Sequence, residues 1–265
     1  MKTLDFWKFD GAGNDFILID VRAEDPQLSV EQVAMMCHRR FGIGADGLMT
    51  LGRPVAEGAH FEMKYYNSDG RLGSMCGNGG RCIAAFAHLL GVGDGQRQLC
   101  FEGYDGLHEA EILVWDDTSK VGVVRLGMRD VPRNEVRRCL DGWFLDTGSP
   151  HYVQRVEGLD RFDVEGEGRR IRNIASEFPE GTNVDFIENR EDGMLMVRTY
   201  ERGVEAETWA CGTGVTACAI VTGSKSLVTR GGDFKVDFEV SDSHYHQVRL
   251  TGPVSLNFVG KWHLA

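Results

Sequence analysis

The sequence lacks the long apolar runs and the basic clusters that mark two large classes of protein. No segment approaches the roughly 18 uninterrupted apolar residues of a membrane-spanning helix. The first ten residues, MKTLDFWKFD, alternate polar and apolar side chains and lack the apolar core of a signal peptide. The 29 basic residues are outnumbered by 40 acidic ones, for a formal charge of −11, and no Lys/Arg-rich run breaks this balance. We therefore expect a cytoplasmic protein with neither a membrane nor a nucleic-acid partner.

Closely spaced cysteines are also lacking. The chain has seven cysteines, an odd number, and none of them form a Cys-x-x-Cys pair. Structural zinc sites depend on such close spacing, and disulfide frameworks use even sets of cysteines at regular spacing. We therefore expect most of the cysteines to be thiols and predict no metal site.

The composition is that of a soluble globular protein. Hydrophobic residues make up 42% and charged residues 26% of the 265 positions, a length that permits one large domain or two of ordinary size. The 34 glycines indicate many turns or ligand-binding loops.

One glycine motif has the spacing of a dinucleotide-binding loop but the wrong context. Residues 42–47 read Gly-Ile-Gly-Ala-Asp-Gly, which fits G-x-G-x-x-G. That loop requires a strand before it and a helix after it. Here a helix is predicted before it, from Ser29 as N-cap to Phe41, and a strand after it. We reject a dinucleotide site at this loop and assign Asp46 a structural role.

Two stretches of the chain are versions of one another, CGNGGRCIAAFA from Cys76 and CGTGVTACAIVT from Cys211. Each places a cysteine and two glycines before an apolar run that predicts a buried helix, over residues 80–90 and 214–223. The first backbone N–H groups of a helix lack partners within the helix, and its dipole adds partial positive charge there. A cysteine at such a place is expected to have a lowered pKa.

The repeat indicates a duplicated fold. About half the chain separates the two cysteines, and predicted strands surround both helices. We predict an α/β (α+β) fold of two pseudo-repeated domains, each a mixed sheet wrapped around a central buried helix. The predicted domains are residues 1–127, completed by a C-terminal strand over 254–265, and residues 128–253. Two separate final strands are predicted, over 246–250 and 254–258.

Four interpretations of the cysteine pair are open from the residues alone. A metal site lacks closely spaced ligands. One cysteine acting as a nucleophile beside His151 leaves the other unexplained. Two purely structural cysteines do not explain the glycines around them. In two-base proton transfer, a thiolate and a thiol act on opposite faces of one carbon, and helix N–H groups of Gly77, Asn78, Gly212 and Thr213 hold a carboxylate.

Further motifs, spread nearly end to end, resemble those of the diaminopimelate epimerase family. They are Gly13-Asn14-Asp15-Phe16, Gly42-Ile43-Gly44 with Asp46, Asn67 to Gly70, Cys76-Gly77-Asn78-Gly79 with Arg81, Pro150-His151, Asn183, Tyr200-Glu201-Arg202-Gly203, Glu207-Thr208 and Ala210-Cys211-Gly212-Thr213-Gly214. Each motif alone is weak, and together they are specific.

The resemblance implies a fold, an activity and a set of site residues. It implies a homodimeric, cofactor-independent isomerase with its site between two similar domains. The reaction would interconvert LL- and meso-2,6-diaminopimelate in lysine and peptidoglycan precursor biosynthesis. Cys76 and Cys211 would be the acid/base pair, tuned by His151 and Glu201. The substrate-binding residues implied are Asn14, Asn67, Gly77, Asn78, Asn183, Glu201, Arg202, Gly212 and Thr213.

The sequence departs from the family pattern at three places, and two other functions stay open. Gly47 stands where many members have Gln, Ser149 where many have Asn, and the loop 204–206 is one residue longer than the commonest form. A proline-type racemase has related cysteine loops, but Asn78 and Ala210 fit the epimerase pattern better. A redox-switch or thiol-metal binding protein is the alternative from a different class.

Overall fold

The computed structural model describes residues 3–73 and 75–264 and divides the chain into two units. The first unit runs to Leu126 and resumes at Pro253, and the second unit comprises Gly127–Gly252. Each unit contains one of the two cysteine-headed helices. The predicted domain ranges, 1–127 with 254–265 and 128–253, stay a prediction.

The first unit is a mixed sheet with two helices. Its strands β2 and β3 are parallel, as are β4 and β5, and its other neighbouring strands are antiparallel. The elements in chain order are β1 (Thr3–Gly11), β2 (Asn14–Asp20), α1 (Val30–Cys37), β3 (Gly47–Gly52), β4 (Phe61–Asn67), α2 (Gly77–Leu89), β5 (Gln98–Gly103), β6 (Gly106–Asp116), β7 (Val121–Gly127) and the end of the last strand, β17 (His244–His263).

The second unit repeats this plan. Its elements are β8 (Val131–Pro132), β9 (Arg137–Cys139), β10 (Gly142–Asp146), β11 (Pro150–Arg155), α3 (Val164–Arg172), β12 (Asn183–Asn189), β13 (Leu195–Glu201), β14 (Ala206–Thr208), α4 (Gly212–Thr222), β15 (Ser226–Thr229), β16 (Gly232–Val240) and the first part of β17, with short 3₁₀ turns at Arg133–Glu135 and Leu159–Arg161.

Strand pairing confirms the predicted pseudo-repeat. In the first unit, β2 is parallel to β3 and β3 is antiparallel to β4. In the second unit, β11 is parallel to β12 and β12 is antiparallel to β13. Parallel pairing then recurs beyond each central helix, as β4 with β5 and as β13 with β15. The two units therefore share one strand order, with α1 equivalent to α3 and α2 equivalent to α4.

Both central helices are buried, as predicted, and both begin earlier than predicted. Helix α2 is buried from Gly77 to Ala87, and α4 is buried over most of its length. Most side chains of both helices are small or apolar, which allows a helix to be buried against a sheet on nearly every face. Because the helices start one residue after each cysteine, Cys76 and Cys211 are their N-cap residues, with extended φ/ψ values.

Helix α1 has the predicted N-terminal capping box of Ser29 and Gln32 but ends at Cys37, short of Phe41. The segment after it turns back, and its backbone N–H groups from Gly42 to Ala45 donate to carbonyl groups in and just after the last helical turn. A side chain at residue 42 would overlap the carbonyl oxygen of Met35. The glycine loop therefore ends a helix and leads into strand β3, which is the predicted order and the reverse of the strand-to-helix context of a dinucleotide-binding loop.

Two sequence predictions are wrong or incomplete in the second half. The two predicted final strands form one continuous strand, β17, which supplies residues to both units. The sequence pattern does not predict helix α3, because the segment is strongly polar and contains two glycines, Gly166 and Gly168. Its end signals are present in the sequence, with Asp163 as N-cap, acidic residues in the first turn and arginines in the last.

Among residues 3–73 and 75–264, no helix combines the length and apolar character that crossing a membrane requires.

Candidate active site

One edge of the first unit's sheet gathers several of the predicted site residues. Strand β2 begins at Asn14, β3 begins at Gly47 and β4 ends at Asn67, and Gly47 pairs with both Phe16 and Asn67. Parallel and antiparallel pairing in this order puts these three ends side by side. Asn67 also opens the predicted turn, with its carbonyl accepting from the N–H of Gly70.

Cys76 lies against Asn14 at the start of helix α2. Its half-buried thiol has Sγ 3.6 Å from Oδ1 of Asn14. The side-chain amide of Asn78 donates to the same oxygen at 3.4 Å. Three of the predicted residues, Asn14, Cys76 and Asn78, are therefore in contact within the first unit.

The orientation of the Asn14 amide is set by Asp46. The Nδ2 group of Asn14 donates to Oδ2 of Asp46 at 2.6 Å, so that Oδ1 of Asn14 points to Cys76 and Asn78. A carboxylate only accepts hydrogen bonds, which excludes the flipped amide. The sequence predicts a structural role for Asp46, and its place in the family motif is the signal that indicates this contact with Asn14.

A charged cluster supports this edge. Asp15 receives hydrogen bonds from Lys8 and from both terminal nitrogens of Arg39, and Arg39 also binds Asp46. Burial alone would raise the pKa of Asp15, but the hydrogen bonds and charges of Arg39 and Lys8 outweigh it and lower the pKa to about 2. Asp15 is therefore ionised at neutral pH and holds both cations in place.

Arg81 is fully buried in helix α2, one turn after Cys76. Its Nη2 donates to Oδ1 of Asn78 at 3.0 Å and its Nη1 to the carbonyl oxygen of Gly77 at 3.3 Å. Burial lowers the pKa of Arg81 to about 10. Because the guanidinium occupies Oδ1 of Asn78, the amide Nδ2 of Asn78 is the group that faces Asn14.

Gly47, the first departure from the family pattern, is covered by a tyrosine. A side chain at residue 47 would begin 2.5 Å from Cε2 and 3.0 Å from the hydroxyl of Tyr65, and 2.6 Å from the carbonyl oxygen of Tyr66. The volume that a larger residue would fill is therefore taken by Tyr65, which packs edge-on against Phe16.

In the second unit, Cys211 caps helix α4 and is buried, with 7% of its surface exposed. Its Sγ lies 3.3 Å from the hydroxyl of Thr213. Burial raises the pKa of the Cys211 thiol well above its ordinary value, and the negative charges of Glu201 and Asp185 raise it further. Hydrogen bonds at Thr213 and Gly214 offset only part of this rise. The expected lowering of the pKa at a helix start is therefore wrong for Cys211, because desolvation outweighs the helix terminus.

His151 lies beneath the start of α4 and is completely buried. Its Nδ1 is 2.7 Å from Oδ2 of Asp185, and its Nε2 is 2.9 Å from the Thr213 hydroxyl. Ser149, the second departure from the family pattern, places its hydroxyl 3.0 Å from both Nε2 of His151 and the hydroxyl of Thr213. The serine therefore takes part in the hydrogen-bond network around the histidine.

Asn183 links three segments of the second unit. Its Nδ2 donates to the carbonyl oxygen of Pro150 at 2.9 Å, and its Oδ1 accepts from the backbone N–H of Arg202 at 2.8 Å. The side chain of Arg202 reaches the carbonyl oxygen of Glu180 at 3.3 Å. His151, Asn183, Cys211 and Thr213 are thus brought together, and Glu201 ends strand β13 just before Arg202.

The longer loop after Gly203 adopts a local turn. Glu205 has a positive φ of 60°, and its backbone N–H donates to the carbonyl oxygen of Glu201 at 2.8 Å. Its carboxylate binds the backbone N–H of Gly203 and the guanidinium of Arg172. The extra residue is accommodated by this turn.

Within residues 3–73 and 75–264, no group of three or more His, Cys, Asp or Glu side chains is arranged to hold a metal ion. At the start of each helix, the polar groups contact neighbours of the same unit through the hydrogen bonds described above.

The family of this chain follows from comparison with known proteins. The family model described as diaminopimelate epimerase matches residues 6–126 and 143–254. The chain belongs to the diaminopimelate epimerase family. A relative named diaminopimelate epimerase from Flavobacterium psychrophilum is 40% identical over 261 residues, covering 95% of this chain and 97% of the relative. One of the same name from Chlorobaculum tepidum is 46% identical over 224 residues, covering 83% of each.

Solved structures with little sequence identity share the fold of the diaminopimelate epimerase family. A Bacillus anthracis phenazine biosynthesis protein of the PhzF family matches with a TM-score of 0.72 at 14% identity, covering 100% of both chains. A probable proline racemase from Agrobacterium radiobacter matches with a TM-score of 0.72 at 15% identity, covering 99% of this chain and 93% of the other. These similarities confirm the predicted epimerase-like fold of two pseudo-repeated halves.

Proposed function

We propose that the chain catalyses interconversion of LL- and meso-2,6-diaminopimelate, a step of lysine and peptidoglycan precursor biosynthesis. The observation that carries this proposal is the pair of buried helices capped by Cys76 and Cys211 in a member of the diaminopimelate epimerase family. The Flavobacterium psychrophilum relative carries that enzyme's name, and the match covers 97% of its length.

The proposed chemistry is proton transfer by two bases. One cysteine, as thiolate, removes the α-proton, and the other, as thiol, delivers a proton to the opposite face, so that the configuration of the carbon inverts. In the reverse reaction the two cysteines exchange roles. The raised pKa of Cys211 favours its thiol form in the resting protein.

The helix starts are the proposed binding place of the reacting carboxylate. Backbone N–H groups of Gly77 and Asn78, and of Gly212 and Thr213, belong to the first turns of α2 and α4. Such groups and the helix dipole favour negative charge, which increases on the substrate as the α-proton leaves. No cofactor and no metal ion enters the proposed mechanism.

Recognition of the rest of the substrate is assigned to polar side chains around these helices. Diaminopimelate has an amino group and a carboxylate at each end, so that neutral amides and one guanidinium offer both donors and acceptors. We assign this role to Asn14, Asn67, Asn183, Glu201 and Arg202, and assign tuning of the cysteine pair to His151 and Glu201. A substrate lacking one of these polar groups leaves a buried partner unpaired, which gives strong discrimination.

The proposal also includes the predicted assembly. We propose two epimerase domains, 1–127 with 254–265 and 128–253, in a cytoplasmic homodimer. Light scattering of the purified protein at several concentrations measures the oligomeric state, and a monomer at all concentrations contradicts the dimer.

Direct conversion of substrate tests the function. The reduced protein is incubated with LL-diaminopimelate, and the isomers are separated by chiral chromatography over time. We expect meso-diaminopimelate to form until the two isomers reach equilibrium, without added metal or cofactor. Parallel incubations with L-proline and trans-4-hydroxy-L-proline address the racemase alternative. No meso isomer together with inversion of either proline substrate contradicts the proposal.

A further inference from the structure

A continuous chain of buried polar groups lies under helix α4. Oδ2 of Asp185 is 2.7 Å from Nδ1 of His151, and Oδ1 of the same carboxylate accepts from the Thr199 hydroxyl at 2.7 Å. Asp185 and His151 are both 0% exposed, and Thr199 is 3% exposed. From His151 the contacts continue through the hydroxyl of Thr213 to Sγ of Cys211.

The fold itself does not require this polar chain. The strand registers show which residues of the two units are equivalent. His151 pairs with Asn183 in the second unit, and Phe16 pairs with Gly47 at the same place in the first unit. Asp185 pairs with Thr199, and Met49 pairs with Tyr65 at the same place in the first unit. The first unit therefore builds the same sheet with Phe16 and Met49 in the places of His151 and Asp185. Desolvation of a buried carboxylate is unfavourable unless hydrogen bonds compensate for the lost water.

The start of α4 is shaped to fit over the pair. Gly214 is the third residue of the helix, and a side chain there would overlap Oδ1 of Asp185 and begin 3.1 Å from Cε1 of His151. The glycine thus lets the helix start lie directly on the carboxylate and the imidazole. At the equivalent position in the first unit, Gly79 faces the flexible side chain of Met49.

The contacts of Asp185 select one tautomer of His151. An ionised carboxylate has no proton to give, so Nδ1 of the imidazole carries the hydrogen in this contact. Nε2 is then left as an acceptor with one lone pair, next to the hydroxyl groups of Thr213 and Ser149. A buried carboxylate that binds a histidine in this way fixes both the orientation of the ring and its tautomer.

We propose that Asp185 is a positioning residue of the epimerase, which acts through His151 on Cys211. Asp185 keeps the proton of His151 on Nδ1 and presents Nε2 to the hydroxyl of Thr213, which lies next to the Cys211 sulfur. The thiol proton of Cys211 passes to Oγ1 of Thr213 while the hydroxyl proton of Thr213 passes to Nε2. Cys211 becomes a thiolate, and the imidazolium formed on His151 is paired with the carboxylate of Asp185. The reverse transfer restores the thiol.

This inference rests on the proposed function, and its test separates the two. Asp185→Asn keeps the shape and one acceptor oxygen but removes the charge and adds a donor. Thr199→Val removes the hydroxyl that holds Asp185, and Thr199→Ser retains a hydroxyl. Met49→Leu, at the position equivalent to Asp185 in the first unit, is the matched control. For each variant, thermal unfolding, kcat and KM with LL-diaminopimelate, and ¹⁵N NMR of the labelled imidazole rings are measured, with the His151 signals assigned through His151→Gln.

For Asp185→Asn we expect a loss in kcat of about 10- to 100-fold with KM changed by less than about threefold, since the group acts on proton transfer. Thr199→Val should lower kcat less than Asp185→Asn does. Thr199→Ser should have a kcat closer to the wild type than Thr199→Val, and Met49→Leu should leave kcat unchanged. The wild-type spectrum should show the hydrogen of His151 on Nδ1, and Asp185→Asn should reduce that tautomer.

Two results overturn the inference. One is a folded Asp185→Asn protein with wild-type kcat. The other is a wild-type spectrum with the His151 hydrogen on Nε2, which is measurable without turnover. If the wild-type protein does not epimerise LL-diaminopimelate, the proposed function fails, and the NMR result still decides whether Asp185 sets the tautomer.

Discussion

The two units have the same strand order and the same cysteine-capped helix, but they surround the cysteine differently. Under α2 the sheet presents Phe16 and Met49, and the charged side chains lie at the edge around Asp15 and Asp46. Under α4 the sheet presents His151 and Asp185, both fully buried. One topology can therefore give the same residue two environments, because the side chains at equivalent register positions decide the local polarity.

The difference gives each thiol its own set of partners. Cys76 is half-buried and contacts the amide of Asn14, whose orientation is set by Asp46. Cys211 is buried and contacts the hydroxyl of Thr213, which is hydrogen-bonded to His151. A two-base enzyme needs one acid and one base at the start of each turnover, and unlike surroundings of two like residues are a means to that end.

Removal of either thiol should have the largest effect. Cys76→Ala and Cys211→Ala should each lower the rate of epimerisation by at least about 10³-fold, since each removes a proton donor or acceptor. The matched controls are Cys82→Ala and Cys218→Ala, which remove buried cysteines from the same two helices. Chiral chromatography of the products measures all four rates. Turnover near the wild-type rate in either Cys76→Ala or Cys211→Ala contradicts the equal importance of the two units.

Substitution of the third residue of α2 or α4 should have the next largest effect, and it should change the free energy of unfolding differently in the two units. Gly214→Ala should destabilise the protein by about 1–3 kcal/mol, because the methyl group overlaps Asp185 and the surroundings are closely packed. Gly79→Ala should change stability by less than about 1 kcal/mol, since its nearest neighbour is Sδ of Met49 at 3.1 Å and that side chain can move.

Urea unfolding of both glycine variants, followed by circular dichroism, measures this difference. Equal losses of stability would mean that the starts of α2 and α4 are packed alike. A larger loss for Gly79→Ala would reverse the comparison.

Acid should weaken the charged edge of the first unit. The folded-state pKa of Asp15 is about 2, below its ordinary value of 3.8. The ion pairs of Asp15 therefore contribute stability that is fully present above pH 3.8 and is lost as the pH falls toward 2. Because the paired Arg39 is more than half exposed and solvent screens the pair, the corresponding stabilisation is at most about 2 kcal/mol.

Comparison of the wild type with Asp15→Asn tests this expectation. Urea unfolding at several pH values should show a difference in the free energy of unfolding of at most about 2 kcal/mol at pH 7 that disappears as the pH falls through about 2. A difference that does not vary with pH would indicate that packing at Asp15, and not its charge, stabilises this edge.

Removal of the N-cap side chain of α1 or of α3 should have the smallest effect on stability, and the effect should be the same for both helices. Ser29 caps α1 and Asp163 caps α3, each accepting a backbone N–H three residues later. Replacement of either by Ala should cost about 1 kcal/mol of stability. Thermal unfolding of both variants measures the effect, and a severalfold larger loss for one of them would show that these equivalent helices contribute unequally.

Much of this arrangement is predictable from the sequence. The repeated cysteine and glycine pattern predicts two buried helices, and the strand periods predict most of the sheet, because apolar spacing follows secondary structure. Helix α3 is not predictable in the same way, since its few apolar residues, such as Ile171, hide in a polar segment with two glycines. The continuity of β17 depends on pairing with strands from both units, which a local pattern does not contain.

The site is less predictable than the fold. Family motifs locate Cys76, Cys211 and His151, but nothing in the local sequence around Asp185 distinguishes a buried partner of His151 from an exposed strand residue. Burial also reverses the pKa shift expected for Cys211, because desolvation depends on the surrounding fold and the helix terminus does not. The partner of His151 and the environment of Cys211 therefore depend on contacts between strands, which local sequence spacing does not predict.

The entry of solvent deuterium into each isomer tests the two-base claim most directly. The reduced protein is incubated with LL-diaminopimelate in deuterated water, and early samples are analysed for α-deuterium in substrate and product separately. Two monoprotic bases predict that deuterium appears first in meso-diaminopimelate, while the remaining LL isomer is initially unlabelled, since the proton is removed by one thiolate and replaced from the other thiol. Equal labelling of both isomers from the earliest samples would contradict the account, because a single base would then be exchanging the proton on both faces.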